Sequence, residues 1–200
     1  VKNIIITGNK EVKDYEIIEA ANLKNYPSFI SINKSKITKT LKQNPFIKDV
    51  QIKKNLKFQI TINVTEEKVV AYNLTNQSYL LSNGTYINDK NFLGVPQLNN
   101  YTPEDVLKNF AEELGKLDED IIADISEIEY SPSKNETGET IDSTRFKLKM
   151  KDGNTVYINV KKCNVLSYYN QIYASLKDKK GVLNLDSGNY ERYVLTLYEE

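Results

Sequence analysis

Apolar and polar residues alternate without a break from Leu56 to Val64: Leu56, Phe58, Ile60, Ile62 and Val64 are separated by Lys57, Gln59, Thr61 and Asn63. A period of two belongs to a strand with one face buried and the other in water. A second run precedes it, in which Val50 and Ile52 alternate with Asp49, Gln51 and Lys53, and Lys54-Asn55 offers a turn between the two. Further upstream, residues 2–7 are rich in β-branched side chains and end at Gly8-Asn9, a pair that closes a strand.

Two helices fit between the first strand and this hairpin. Asp14 is a suitable N-cap, Glu16 lies in the first turn, and Tyr15, Ile18 and Ala21 recur at helical spacing. Asn33 is a suitable cap for a second helix carrying Ile37 and Leu41, and Asn44-Pro45 stops it, because a residue before proline is pushed out of the helical region. The order β-α-α-β-β predicts a three-stranded sheet with two helices on one side, an α+β unit.

Charge divides the chain near the end of this unit. Residues 1–66 carry 12 basic and 6 acidic side chains, hence +6, and residues 67–200 carry 15 and 21, hence −6. This asymmetry suggests two domains, 1–66 and 67–200, with compositional scatter in a Lys-rich chain as the alternative on charge alone. The second opens with Asn83-Gly84 between Tyr79-Leu80-Leu81 and Thr85-Tyr86-Ile87, a hairpin signal of the type I′ kind. Gly94-Val95-Pro96 marks a loop. Thr102-Pro103-Glu104-Asp105 reads as N-cap, N1 proline and first-turn acids of a helix bearing Leu107, Phe110 and Leu114. Ile121, Ile122 and Ile125 lead toward a strand near Ile128, and residues 131–143 read as an exposed loop. Phe146, Leu148 and Met150 then pair across Asp152-Gly153 with Val156, Ile158 and Val160. Val165, Tyr169, Ile172 and Leu176 make a helical stripe, with Gly181 as its cap, and two β-rich runs, 182–186 and 190–198, follow.

Chemistry is sparse. The net charge of +0 excludes the uniformly basic surface of a typical nucleic-acid binder. Cys163 is the sole cysteine and there is no histidine, so an intrachain disulfide, the usual zinc sites and histidine-based triads are excluded. Asp118-Glu119-Asp120 with Asp124 reads as a solvated helix start, and the scattered glycines form no phosphate loop. The Asn-x-Thr triplets at Asn63 and Asn83 are read as chance occurrences in an Asn-rich chain. We expect no enzyme and no cofactor. The Lys-rich first unit reads as a solvated positive face, with acidic lipid headgroups or a neighbouring protein as the alternative. No apolar stretch approaches the roughly 18 to 20 residues of a bilayer span. The chain opens on Val1 with no leader, and the expectation is a fragment whose targeting segment has been removed.

The first unit resembles a POTRA domain. The segments VKNIIITGNKEV, LKQNPFIKDVQIKK and LKFQITINVTEEKVVAY are similar to the FtsQ/DivIB family of bacterial cell-division proteins: Gly8-Asn9 closes the first strand, Asn44-Pro45 with Ile47 and Val50 precedes the second, and Val64-Thr65-Glu66 leads to Val70-Ala71. The family's proline between the last two strands is missing, and Val69 stands where a proline often occurs. In the second unit the resemblance continues through Leu80-Leu81-Ser82-Asn83-Gly84, Pro96-Gln97-Leu98, Ile125-Ser126-Glu127-Ile128, Asp152-Gly153, Tyr169 and the run from Gly181 to Leu185, with Asn184 in place of the usual Asp. It implies a POTRA domain followed by a mixed antiparallel-sheet β domain with helices on one side. It further implies a non-enzymatic scaffold of the division machinery, anchored by an N-terminal membrane span absent from this chain, with this region outside the cytoplasmic membrane at the septum. Implied partners are small bitopic coiled-coil proteins of the FtsL/DivIC/FtsB type and septal peptidoglycan synthases. The alternative is a POTRA protein that docks peptides in secretion or outer-membrane barrel assembly.

One run stands out as a candidate interaction site. Tyr190, Glu191, Arg192, Tyr193, Val194, Leu195, Thr196, Leu197 and Tyr198 combine high β propensity with little turn chemistry. A last strand is often an edge, whose unpaired backbone groups invite a partner strand. A buried or paired last strand is the alternative on the residues alone, and the family resemblance favours the open edge. Tyr193, Leu195 and Leu197 share one face, and Val194, Thr196 and Tyr198 the other, with the outward set left open. Arg192, one of two arginines, is suited to anchor an acidic partner residue.

Overall fold

The computed structural model describes residues 1–177, 179–187 and 194–198. The chain forms two compact units, Val1–Lys68 and Val69–Glu200.

The first unit runs β1 (Asn3–Thr7), α1 (Asp14–Ala20), α2 (Lys34–Leu41), β2 (Ile47–Lys54) and β3 (Gln59–Glu66). Its sheet order is β1-β3-β2, with β1 parallel and β2 antiparallel to β3. Ile60, Ile62 and Val64 of β3 are buried together with Ile17, Leu23, Ile37 and Leu41. Each such side chain contributes about 1.5–3 kcal/mol by leaving water. Asn33 caps α2 by accepting a hydrogen bond from the Lys36 amide at 3.1 Å. Lys13, not Asp14, occupies the N-cap of α1, and its amide donates to Glu16 Oε2 at 2.7 Å.

Three residues of the long alternating run, Leu56, Lys57 and Phe58, lie outside the strand. Asn55 Oδ1 accepts from the Lys57 and Gln59 amides, and the Phe58 amide donates to the Asn55 carbonyl. This closes a turn with Phe58 at φ 57°, so pairing begins at Gln59, and Leu56 projects into solvent.

The second unit contains β4 (Val69–Asn73), β5 (Ser78–Leu81), β6 (Tyr86–Ile87), β7 (Gln97–Leu98), α3 (Glu104–Gly115), α4 (Glu119–Ala123), β8 (Ile125–Tyr130), β9 (Ser133–Lys134), β10 (Thr140–Asp142), β11 (Arg145–Met150) and β12 (Thr155–Asn159). A 3-10 segment (Val160–Tyr168), α5 (Tyr169–Ser175), β13 (Gly181–Asn184) and β14 (Val194–Leu197) complete it. Among the described residues, nine strands form one mixed sheet in the order β14-β13-β12-β11-β8-β7-β4-β5-β6. The β4–β7, β7–β8 and β12–β13 pairs are parallel.

Register explains how this sheet separates its faces. Leu98, Ile128, Leu148, Val156 and Leu183 are paired in succession across five strands, and all five are buried in one core with Phe110, Leu114, Ile121, Leu166 and Tyr169 from the helical segments. Phe110 stacks on Phe146 with ring centroids 3.8 Å apart. One residue along, the row Tyr72, Gln97, Glu127, Lys149, Thr155, Val182 and Thr196 lies on the other face.

Four local expectations are corrected. Pro103, not Thr102, stands at the N-cap of α3, and the helix begins at Glu104. The β5–β6 connection is not a type I′ turn: Gly84 alone has positive φ, at 84°, and the Gly84 amide donates to the Leu81 carbonyl while the Leu81 amide donates to Thr85. That is the three-residue loop with a left-handed glycine, and Asn83 instead accepts from the Thr85 amide and hydroxyl. Residues 131–143 are not all loop, because β9 and β10 pair as a small ribbon. Finally, the stripe from Val165 is 3-10 before it is α-helical, its C-cap is Leu176, and Gly181 is the first residue of β13.

A candidate strand-docking edge

The edge of the large sheet is built outward from the Asp152-Gly153 turn. Asn154, almost fully buried, accepts a hydrogen bond from the Gly181 amide at 3.0 Å and donates to the Tyr169 hydroxyl at 3.1 Å. The Tyr169 hydroxyl donates in turn to Asp152 Oδ2 at 2.6 Å. Burial, reinforced by the Asp152 carboxylate, pushes the Tyr169 phenol far above its ordinary range. These three side chains hold the start of β13 beside β12. The far end of β13 is held by Asp186, which accepts from Arg145 Nε at 2.6 Å while the Arg145 guanidinium lies 3.7 Å above the Tyr157 ring.

β14 then lies antiparallel on β13, with Gly181 opposite Leu197, Val182 opposite Thr196, Leu183 opposite Leu195 and Asn184 opposite Val194. Gly181 makes this approach possible: a Cβ there would sit 2.0 Å from the Thr196 carbonyl oxygen. The Tyr198 amide donates to the Lys180 carbonyl at 3.2 Å, which sets the phase of the ladder. In antiparallel pairing, alternate residues turn both backbone groups toward the same neighbour. Thr196 and Tyr198 therefore turn theirs toward β13, and Leu195 and Leu197 turn N–H and C=O away from it. Among the described residues, no strand lies beyond β14 in the sheet order.

Side chains at this edge divide between two faces. Thr196 and Tyr198 share the face of Val182 and Thr155, and the Tyr198 hydroxyl lies 2.7 Å from Thr155 Oγ1. Leu197 belongs to the opposite face, yet 49% of it is exposed, as is 45% of Tyr198. Of the candidate residues, Val194, Leu195, Thr196 and Leu197 form β14 and Tyr198 follows it, whereas Tyr190, Arg192 and Tyr193 lie outside the described residues. Gly181, Asn154 and Tyr169, which shape the edge, carry no local sequence signal of that role, because their partners come from elements brought together only by folding.

The other candidates behave as ordinary structure. Cys163 is buried, and burial followed by the Glu113 carboxylate pushes its thiol up to about 12. Asp118 stands at the N-cap of α4, and Glu119 and Asp120 lie in its first turn. Among the described residues, no group of three or more His, Cys, Asp or Glu side chains could hold a metal ion, and no helix is long and apolar enough to cross a membrane.

Residues 1–67 match the family model of the FtsQ-type POTRA domain. The cell division protein DivIB of Listeria monocytogenes is 30% identical over 195 residues, covering 94% of this chain and 70% of that protein. DivIB of Bacillus subtilis is 31% identical over 198 residues, covering 95% and 73%. The solved major extracytoplasmic domain of DivIB from Geobacillus stearothermophilus is similar to 56% of this chain and covers 96% of its own, at 24% identity and a TM-score of 0.44. The alignments with the two relatives run through both units, so the strand edge at the end of the second unit is set within a protein of known kind: the chain belongs to the DivIB family of cell division proteins.

Proposed function

We propose that this protein is a non-enzymatic scaffold of the division machinery that captures a partner strand on the open edge of β14. The POTRA unit and a β domain following it at about residue 67 act together outside the cytoplasmic membrane, tethered to it by an N-terminal span and gathered at the septum. The partner class is the small bitopic coiled-coil division protein of the FtsL/DivIC/FtsB type, through which septal peptidoglycan synthases are reached. The observation that carries this reading is the outward direction of the Leu195 and Leu197 backbone groups on a terminal strand. Added main-chain bonds would supply affinity, and Thr196, Leu197 and Tyr198 would supply choice. Docking of peptides in secretion or barrel assembly is the weaker reading, because the two division relatives match 94% and 95% of the chain.

Leu195→Pro tests the proposal cleanly. It removes an N–H that points away from β13, so the internal ladder keeps its bonds while the docking edge loses a donor. Titration with the extracytoplasmic segments of the coiled-coil partners should show affinity lower by roughly tenfold or more, as expected for a lost main-chain bond and a proline in the added ladder. Arg192→Lys should weaken binding much less. Circular dichroism establishes that both variants are folded, and parent-like binding by the proline variant would remove β14 as the docking edge.

A further inference from the structure

A second surface, in the first unit, has a different chemistry. The start of β1, the α1–α2 loop and the β2–β3 turn converge at one end of the small sheet. There the Lys2 amide donates to the Phe58 carbonyl at 2.9 Å, and the Phe29 and Phe58 rings meet edge to face at 5.4 Å. Lys54 Nζ lies 4.6 Å from the centre of the Phe29 ring, and Lys2 Nζ lies 5.6 Å from that of Phe58. Beyond these rings two aliphatic side chains stand in water: Leu56 is 99% exposed and Ile30, next to Phe29, is 91% exposed.

The charge around them has one sign. Residues 1–10, 20–48 and 50–65, which include all three converging segments, contain no Asp or Glu. Lys2, Lys53, Lys54 and Lys57 thus have no acidic residue within these stretches of sequence. Apolar residues on loop tips, beside aromatic rings that carry the Lys2 and Lys54 ammonium groups, match the layering of a membrane interface, with acyl chains beneath and anionic headgroups at the level of the ammonium groups. A fluid bilayer accommodates exposed apolar tips such as Leu56 and Ile30 without a preformed pocket, which a folded acidic partner would have to supply. We propose that this end of the POTRA unit seats on a bilayer surface containing anionic phospholipid, with Leu56 and Ile30 entering the interface. This does not depend on strand docking at β14.

The chain has no tryptophan, so Leu56→Trp installs a single fluorescent reporter at the tip. With vesicles of phosphatidylglycerol and phosphatidylcholine at low salt, its emission should shift to the blue and be quenched by brominated acyl chains. Binding to phosphatidylcholine alone should be at least tenfold weaker. In co-sedimentation of the 200-residue chain, Ile30→Ser with Leu56→Ser, and separately Lys53→Glu with Lys57→Glu, should each lower binding to anionic vesicles about tenfold or more. Far-UV circular dichroism should match the parent, since all four positions lie on the surface. Absence of the blue shift on anionic vesicles, or parent-like sedimentation of the serine pair, overturns the proposal. Binding to polyaspartate that depends on the lysines but not on Leu56 or Ile30, with no acyl-chain quenching, would overturn it in favour of an acidic protein partner.

Discussion

The nine-stranded sheet ends in two different ways. At one side β6 is two residues long, and Tyr86 within it accepts a hydrogen bond from Asn73 Nδ2 at 2.9 Å through its phenol. At the other side β14 is four residues long and follows a strand fixed at both ends by side chains from β11, the β11–β12 turn and α5. A very short edge offers little for another chain to extend, which is a common way of preventing unwanted pairing. A longer edge on an anchored neighbour offers a firm ladder. The proposed docking is suited to such an edge, because a strand held rigidly behind it keeps the backbone groups in register while a partner adds.

Gly181→Val should break this arrangement most severely. A side chain at residue 181 would collide with the Thr196 carbonyl, so β14 should leave β13. Partner affinity should fall beyond measurement, and urea unfolding should show a stability loss of about 1–3 kcal/mol, as expected for overpacking. The two edges can then be set against each other directly. Pairing of Leu81 with Thr85 places the Tyr86 amide outward on β6, as Leu195 is on β14. Tyr86→Pro should therefore leave partner binding at the parent level where Leu195→Pro reduces it, and equal losses in isothermal titration would show that the edges are not functionally distinct.

A smaller effect is expected at the anchor. Tyr169→Phe removes the hydroxyl shared by Asn154 and Asp152 and should cost about 1–3 kcal/mol in urea unfolding at pH 7, because buried polar partners lose their bond. The folded phenol titrates above its unfolded value near 10, so its contribution is complete below about pH 10 and is lost as pH rises further. The gap between parent and Tyr169→Phe should accordingly narrow above that pH. Cys163 should give the smallest signal: its thiol, raised to about 12 by burial, should resist a disulfide reagent at pH 8 and react only as fast as the protein unfolds.

Much of the local architecture was legible in the chain. Alternation at Ile60, Ile62 and Val64 located β3, Asn33 located the start of α2, and Asp152-Gly153 located the β11–β12 hairpin. The misreadings share a physical cause. Leu56 and Phe58 satisfy a period of two, yet the hydrogen bonds of Asn55 place them in a turn. Asn83-Gly84 has the composition of a two-residue turn, yet the Leu81–Thr85 pairing requires a three-residue loop. In both places backbone pairing selected the turn, and side-chain hydrophobicity does not encode that selection.

Neighbours in the chain and composition suffice for β3, α2 and the β11–β12 hairpin, for the contrast between a basic stretch 1–66 and an acidic stretch 67–200, and for the absence of histidine chemistry. Only the tertiary structure decided that β1 pairs in parallel with β3, that β13 pairs in parallel with β12, and that Gly181 serves a close crossing of strands instead of a helix cap. Those outcomes depend on contacts between residues tens of positions apart, such as Asn154 with Gly181 and Arg145 with Asp186. Such contacts leave no periodic trace in either segment, because each partner's role exists only once the other has been brought beside it.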